Sequence, residues 1–271
     1  MTSGVFDLDR MGGVAGLAGL VGQVRAAGDA ARLMQLTGLE GMVERKSDDS
    51  PVTIADREVE KRLSAYLQSR HPQAAFLGEE TGAREGKVNG LRFVVDPIDG
   101  TRAFMRGLDT WSVLVGVEFD SRPVVGVAYM PAAEEMFVAY EGGGARCNGE
   151  PLKVSGVESL DESLVTHGGL EAFLDDGSES RLLAIGRRAY SVRGFADFDG
   201  YRKVLKGQAD AMIDPGIQPY DVCPAAVLLR EAGGRFTSLD GRDSIYAGSG
   251  LGSNGRIHDE LLALWAGSAG S

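Results

Sequence analysis

The sequence predicts an α/β protein of layered α+β character, and three observations carry that expectation. Helical periodicity opens the chain, loosely over residues 13–37 and clearly from Asp56 onward. Apolar, β-branched segments joined by tight turns follow from Arg92 to Gly149 and read as helices packed on an antiparallel sheet. Beyond residue 150 short strands alternate with helices, the pattern of a smaller α/β unit. Residues 1–148 and 149–271 are therefore expected to form two halves of one sandwich. No repeat, long linker or low-complexity tract interrupts them.

In chain order, Val14, Leu17, Leu20, Val21, Val24, Leu33, Met34 and Leu36 mark the first helix, which its glycines weaken. After the polar turn Lys46–Pro51, a helix from Asp56 to near His71-Pro72 sets Val59, Leu63, Tyr66 and Leu67 on one face. Arg57, Glu58, Glu60 and Lys61 fall elsewhere on it and read as polar surface. Ala74–Leu77 is a short strand, and 82–90 reads as a mobile charged loop. Phe93-Val94-Val95 ends a buried strand, with Pro97 expected to stop its ladder because it has no N–H. Trp111–Phe119, Val124–Met130 and Glu135–Tyr140 continue the sheet through turns at Asp120–Pro123 and Asn148-Gly149. In the second half Leu164–Thr166, Ala184-Ile185, Ala209–Ile213 and Arg235–Thr237 read as strands. Phe198–Lys206, Cys223–Ala232 and residues 257–265 read as helices.

Three acidic turns stand at element ends rather than on solvated faces. Asp96-Pro-Ile-Asp-Gly-Thr101 places two carboxylates and a hydroxyl where a strand gives way to a helix. An ordinary helix cap accounts for Asp99-Gly100-Thr101 but leaves Asp96 without a partner beside an apolar strand. Gly78-Glu79-Glu80 repeats the style after another strand, and Asp221, a natural helix cap, precedes the helix that ends at Gly233. With Asp56 at a helix start, Glu79, Asp96, Asp99 and Asp221 form an oxygen-rich set suited to hard cations and bound phosphate.

Composition removes other classes. A net charge of −11 over 271 residues, without a Lys/Arg run, argues against a nucleic-acid surface. Apolar content of 43% and charged content of 25% are those of a soluble globular protein. The apolar stretch Met11–Val24 is too short to span a bilayer, and Asp7 and Asp9 spoil a signal-type start. Cys147 and Cys223 lack C-x-x-C spacing and read as reduced, cytoplasmic thiols. His71, His167 and His258 form no metal pair. No P-loop or dinucleotide fingerprint occurs, and Pro97 stands where a phosphoaspartyl phosphatase needs its nucleophilic Asp. Attack by a metal-activated water is the remaining phosphate chemistry.

Gly78-Glu79-Glu80, Asp96–Thr101 and Asp221 before Glu231-Ala-Gly-Gly234 resemble the inositol-monophosphatase-like superfamily of magnesium-dependent, lithium-sensitive phosphatases. Ser50–Glu60 and Ser253–His258 extend the resemblance over nearly the whole chain. It implies an α/β/α/β/α sandwich, usually a homodimer, acting on a small phosphorylated metabolite. It further implies that Glu79, Asp96, the Ile98 carbonyl, Asp99 and Asp221 hold two or three Mg²⁺ ions, with most ligands in the first half. Thr101 with Glu79 would orient the attacking water, Asp56 would stand behind the metals, and Lys46 would lie on a mobile loop. Gly100 and Thr101 N–H groups would bind phosphate, and Asp214 would meet the organic part of the substrate. Asp99-Gly-Thr-Arg-Ala-Phe104 and Gln218-Pro-Tyr-Asp221 look more like the superfamily's histidinol-phosphate phosphatases than its inositol enzymes. A cationic substrate of that kind suits a pocket lined by Asp197, Asp199 and Asp214. Inositol-1-phosphate is the alternative substrate, followed by sugar or nucleotide bisphosphates, and an inactive metabolite-binding homologue is the alternative outside enzymes. Arg193–Tyr201 and Cys223-Pro224 depart from the expected pattern.

Overall fold

The computed structural model describes residues 6–38, 43–45, 51–86 and 90–267. A 3₁₀ turn leads into α1 (Gly13–Thr37), and a small ribbon of β1 (Val43–Arg45) with β2 (Pro51–Thr53) leads into α2 (Ile54–Arg70). Next come β3 (Ala75–Gly78), β4 (Gly82–Arg84), β5 (Leu91–Asp99), the short α3 (Thr101–Met105) and β6 (Ser112–Phe119). They are followed by β7 (Arg122–Met130), β8 (Glu135–Tyr140), β9 (Gly144–Cys147) and β10 (Glu150–Pro151). The second half holds β11 (Leu164–His167), α4 (Leu170–Asp175), α5 (Glu179–Gly186), β12 (Ser191–Gly194) and α6 (Asp197–Leu205). It closes with β13 (Ala211–Pro215), α7 (Pro219–Glu231), β14 (Arg235–Thr237), β15 (Ser249–Ser253) and α8 (His258–Gly267).

The large sheet runs β10-β9-β8-β7-β6-β5-β3-β4, antiparallel throughout except for the parallel β3/β5 pair. The smaller sheet runs β12-β11-β13-β15-β14. Helices α1 and α2 cover one face of the large sheet around Leu20, Leu63, Phe93 and Trp111. Between the sheets lie α6 and α7, packed with Val94, Leu114, Phe137, Phe198 and Leu228. Beyond the small sheet α4, α5 and α8 bury Phe173, Ile185, Leu261 and Trp265. The result is the five-layer α/β/α/β/α sandwich. All eight residues of β6 are buried because both of its faces are covered.

One close approach sets the central layer. Gly116 of β6 and Gly126 of β7 pair directly across the ladder. A Cβ on Gly116 would sit 2.6 Å from the Cβ of Cys223, and one on Gly126 would sit 2.5 Å from the Pro224 carbonyl oxygen. The two glycines thus make the notch into which α7 settles, and the Cys223-Pro224 pair fits it.

Several expectations need correction. Beta-strand 5 does not stop at Pro97 but continues to Asp99, because Pro97 sits in a bulge where no ladder N–H is required. Residues 82–84 form β4 against β3 rather than a loose loop. Ala184 and Ile185 lie in α5, since a short apolar run carries no period that separates strand from helix. Helix α2 starts at Ile54, with Thr53 as its cap and Asp56 reaching back to it. Helix α7 starts at Pro219, suited to a first helical position, so Asp221 is its third residue rather than its cap. Pro224 consequently falls in the second turn, where its missing N–H denies the Tyr220 carbonyl its usual helical donor.

Candidate active site

The site assembles where β3 and β5 end beneath the start of α7. Strand β5 brings Asp96 and Asp99 together by a device the sequence does not announce. Residues three apart on a regular strand face opposite ways. Here Asp96 pairs with Leu114 and Asp99 with Ser112, so β5 carries one extra residue and the bulge returns both carboxylates to one side. The Ile98 side chain stays in the α1/α2 core while its carbonyl accepts from the Thr101 hydroxyl at 3.1 Å. Gly100 takes φ +82°, a left-handed conformation that turns the strand into α3.

Each acid is fixed from a different element. The Asp99 Oδ2 accepts from Ser112 Oγ at 2.7 Å and from the Phe198 N–H, at the start of α6, at 3.0 Å. Asp221 Oδ2 accepts from the Gln218 N–H at 2.7 Å. Asp56 Oδ2 accepts from the Thr53 N–H at 2.8 Å, and its Oδ1 accepts from the Thr101 hydroxyl at 3.3 Å. Glu79 follows β3, and its N–H prolongs the parallel ladder to the Val95 carbonyl at 3.2 Å. Carboxylate oxygens of Asp56, Glu79 and Glu80 lie within 4.8 Å of one another.

A cleft of about 620 Å³ opens over this floor, with Glu79, Asp96, Asp99 and Asp221 in its wall. Asp197 and Asp214 line it from the small-sheet side, as do Glu171 and Asp175 of α4. Arg102 is the only basic side chain among the described lining residues, and it pairs with Glu171. Ala196 and Asp197 both take positive φ, 52° and 48°, at the entry to α6. That sparsely populated backbone places the Asp197 carboxylate over Gly100, where an added Cβ would meet it at 2.9 Å.

Burial and mutual repulsion act on these acids in the same direction. Asp96 is pushed well above the carboxylate range by burial, then by Glu79, Asp99 and Asp221. Burial and Asp197 do the same to Asp99, and burial with Asp221 and Asp197 to Asp214. Asp221 rises to about 7, first through burial and then through Glu79. Asp56 and Asp197 rise to about 6, again chiefly through burial. Asp96 Oδ1 is buried with no hydrogen-bond partner among the described residues. A hard cation satisfies such an orphaned oxygen and removes the repulsion, so the donor set fits divalent metal.

The structure gathers Asp56, Glu79, Asp96, Ile98, Asp99, Gly100, Thr101, Asp197, Asp214 and Asp221 at or directly behind the cleft. Asp199 is the exception. Its carboxylate faces Arg202 at 2.8 Å and Lys203 at 3.6 Å and does not line the cleft. Two residues along a helix point about 200° apart, so Asp197 and Asp199 cannot share one wall. Lys46 lies outside the described residues. The sequence reading also missed Ser112, Glu171, Asp175 and the buried Glu60, whose spacing of four from Asp56 was its available signal.

Acids gathered where strand ends meet helix starts suit phosphate-ester hydrolysis, and together with the chain's relatives they make it a phosphoric monoester hydrolase. Residues 17–268 match the inositol monophosphatase family, and the chain belongs to that family. It is 34% identical to a histidinol-phosphatase of Streptomyces coelicolor, over 87% of this chain and 91% of that protein. A histidinol-phosphatase of Mycobacterium tuberculosis is also 34% identical, over 86% of this chain and 92% of its own length. Among solved structures, the extragenic suppressor protein suhB of Bartonella henselae superposes with a TM-score of 0.84 at 26% identity. That superposition covers 93% of this chain and 98% of the other. Among the described residues no helix is long and apolar enough to cross a membrane.

Proposed function

We propose that this chain is a magnesium-dependent phosphatase of histidinol phosphate. The observation that carries the substrate is the surplus of acid beyond the metal floor. Asp197, Asp214, Glu171 and Asp175 line the outer cleft against a single arginine, which Glu171 already engages. Such a wall favours an organic part bearing positive charge, as the amine and imidazole of histidinol do. The two histidinol-phosphatase relatives support the same choice. Inositol-1-phosphate, suggested by the family, offers only hydroxyls to that wall. Bisphosphates need a second basic group that the described lining lacks. An inactive homologue is disfavoured because every acidic ligand position is filled.

In this reading residues 1–148 supply Glu79, Asp96, the Ile98 carbonyl and Asp99 as ligands, and residues 149–271 supply Asp221 and the substrate wall. Two or three Mg²⁺ ions held there supply a water nucleophile at neutral pH and offset the phosphate charge. The chain's own contribution is placement. The Thr101 hydroxyl proton is committed to Ile98 O and Asp56 Oδ1, which leaves the oxygen lone pairs to accept from the attacking water, with Glu79 on its other side. Gly100 and Thr101 N–H groups take phosphate oxygens. We further propose lithium inhibition, a homodimer and a cytoplasmic location, the dimer to be checked by light scattering.

Phosphate release with magnesium tests the reading, comparing histidinol phosphate, inositol-1-phosphate, fructose-1,6-bisphosphate and adenosine 3′,5′-bisphosphate. The expected result is a clear excess of kcat/KM for histidinol phosphate. A preference for inositol-1-phosphate would overturn the substrate, and release from none of them would overturn the activity.

A further inference from the structure

Helix α2 carries two fully buried acids one turn apart, Asp56 and Glu60, on the face turned toward the ends of β3 and β5. Asp56 holds Thr101, which opens α3 just beyond the end of β5. Glu60 does the equivalent for the turn after β3. Its Oε2 accepts from the Glu80 N–H at 2.8 Å, and its Oε1 accepts from the Thr81 N–H at 2.8 Å and from the Thr81 hydroxyl. Gly78 has no side chain where Glu60 needs space, since a Cβ there would lie 2.6 Å from the carboxylate. The Glu60 carboxylate is not part of the cleft wall.

The contact uses both carboxyl oxygens as acceptors. Each of these two oxygens faces a backbone N–H, so an amide in either orientation would turn its own N–H toward a backbone N–H group. A buried carboxylate beside two further glutamates is costly unless those donors are held in place. Glu79 is thereby clamped on both sides. Its own N–H is tied to Val95, and the next two N–H groups are tied to Glu60.

We infer that Glu60 is a positioning residue that aims Glu79 at the metal floor, acting through the Glu79-Glu80-Thr81 turn without touching metal or substrate. The inference rests on the metal reading of the cleft. Outer partners of this kind typically change metal affinity by about 10–100-fold. Losing Glu60 therefore acts on cation binding before it acts on chemistry at saturating metal.

The test is Mn²⁺ titration of the metal-free protein, following free Mn²⁺ by its paramagnetic resonance signal, for wild type, Glu60→Gln and Thr81→Val. Circular dichroism in EDTA reports the fold, and magnesium dependence separates the activation constant from kcat. Glu60→Gln is expected to bind Mn²⁺ about tenfold or more weakly. It should keep the wild-type spectrum and recover most of its kcat when magnesium is raised. Thr81→Val, which removes one of the three donors, should weaken binding by a smaller factor. Unchanged Mn²⁺ affinity in Glu60→Gln overturns the inference. If that variant does not fold, wild-type affinity in Thr81→Val overturns it instead. Failure of the wild type itself to bind Mn²⁺ sinks the metal reading, a separate outcome.

Discussion

Gly116→Ala tests the seat of α7 with one methyl group. The new Cβ would stand 2.6 Å from the Cys223 Cβ and closer still to its Sγ, both on a buried helix that cannot rotate away. Overpacking a tight core by a methylene costs about 1–3 kcal/mol. The stiffer unfolded chain returns about 0.4–1 kcal/mol; contacts this short fall at the upper end of the overpacking cost, which leaves a net loss of about 1–2 kcal/mol. At about 2–4 °C per kcal/mol for a chain approaching this size, Tm should fall by several degrees. Cys223 is two residues from Asp221, so the shift that relieves the clash also displaces a cleft carboxylate. Calorimetry in EDTA and in magnesium should show a lower Tm in both and a smaller gain from magnesium than in wild type. Adding Cys223→Ala removes the Sγ contact and should restore part of the loss, read as a non-zero coupling in a double-mutant cycle. A Gly116→Ala protein melting within about 1 °C of wild type would refute the packing account.

Two further outcomes follow from the acid cluster. Asp96→Asn should cut turnover severely while leaving metal-free stability equal or higher, because it removes a carboxyl whose ionised form is opposed by burial and then by Glu79, Asp99 and Asp221; near-normal magnesium-dependent activity would remove Asp96 from the site. Folding raises Asp56 and Asp197 to about 6 and Asp221 to about 7, from an ordinary 3.8. Stability from these groups is complete below the ordinary value and lost as pH rises through the folded values, so the metal-free protein weakens between about pH 4 and 7. His258, lowered to about 4 chiefly by burial, acts in the opposite sense, destabilising as pH falls from its ordinary 6.5. Since His258 affects metal-free and metal-loaded protein alike, the difference in Tm between magnesium and EDTA is the diagnostic quantity. It should widen from pH 5 to pH 7.5, and a gap independent of pH would rule out the buried acids as its source.

Much of the floor was legible because its chemistry is local. Acids at strand ends, a proline between two of them and a glycine after them are visible as letters. The bulge that reconciles Asp96 with Asp99 was not, since it depends on which residues of β6 they face. Glu60 read as solvated helix because nothing in a linear pattern reveals three donors arriving from the turn after β3. Strand β15, Ser249-Gly-Leu-Gly-Ser253, has little strand propensity. It exists because its glycines admit Tyr201 and Leu229 against the backbone. Asp199 was paired with Asp197 on composition, and helical phase separated them.

The buried double face of β6 has a consequence for how the chain is made. The large sheet is complete by Pro151, yet the helix that covers Leu114, Ala128 and Phe137 begins only at Pro219. At a ribosomal rate of about 5–20 residues per second, that apolar face stays bare for several seconds while the intervening segment is synthesised. Until α7 arrives, that face of the nascent first half is open to chaperones and to other chains. A fragment ending at Pro151 would carry most of the acidic floor and still precipitate, since half of its sheet would have nothing to lie against.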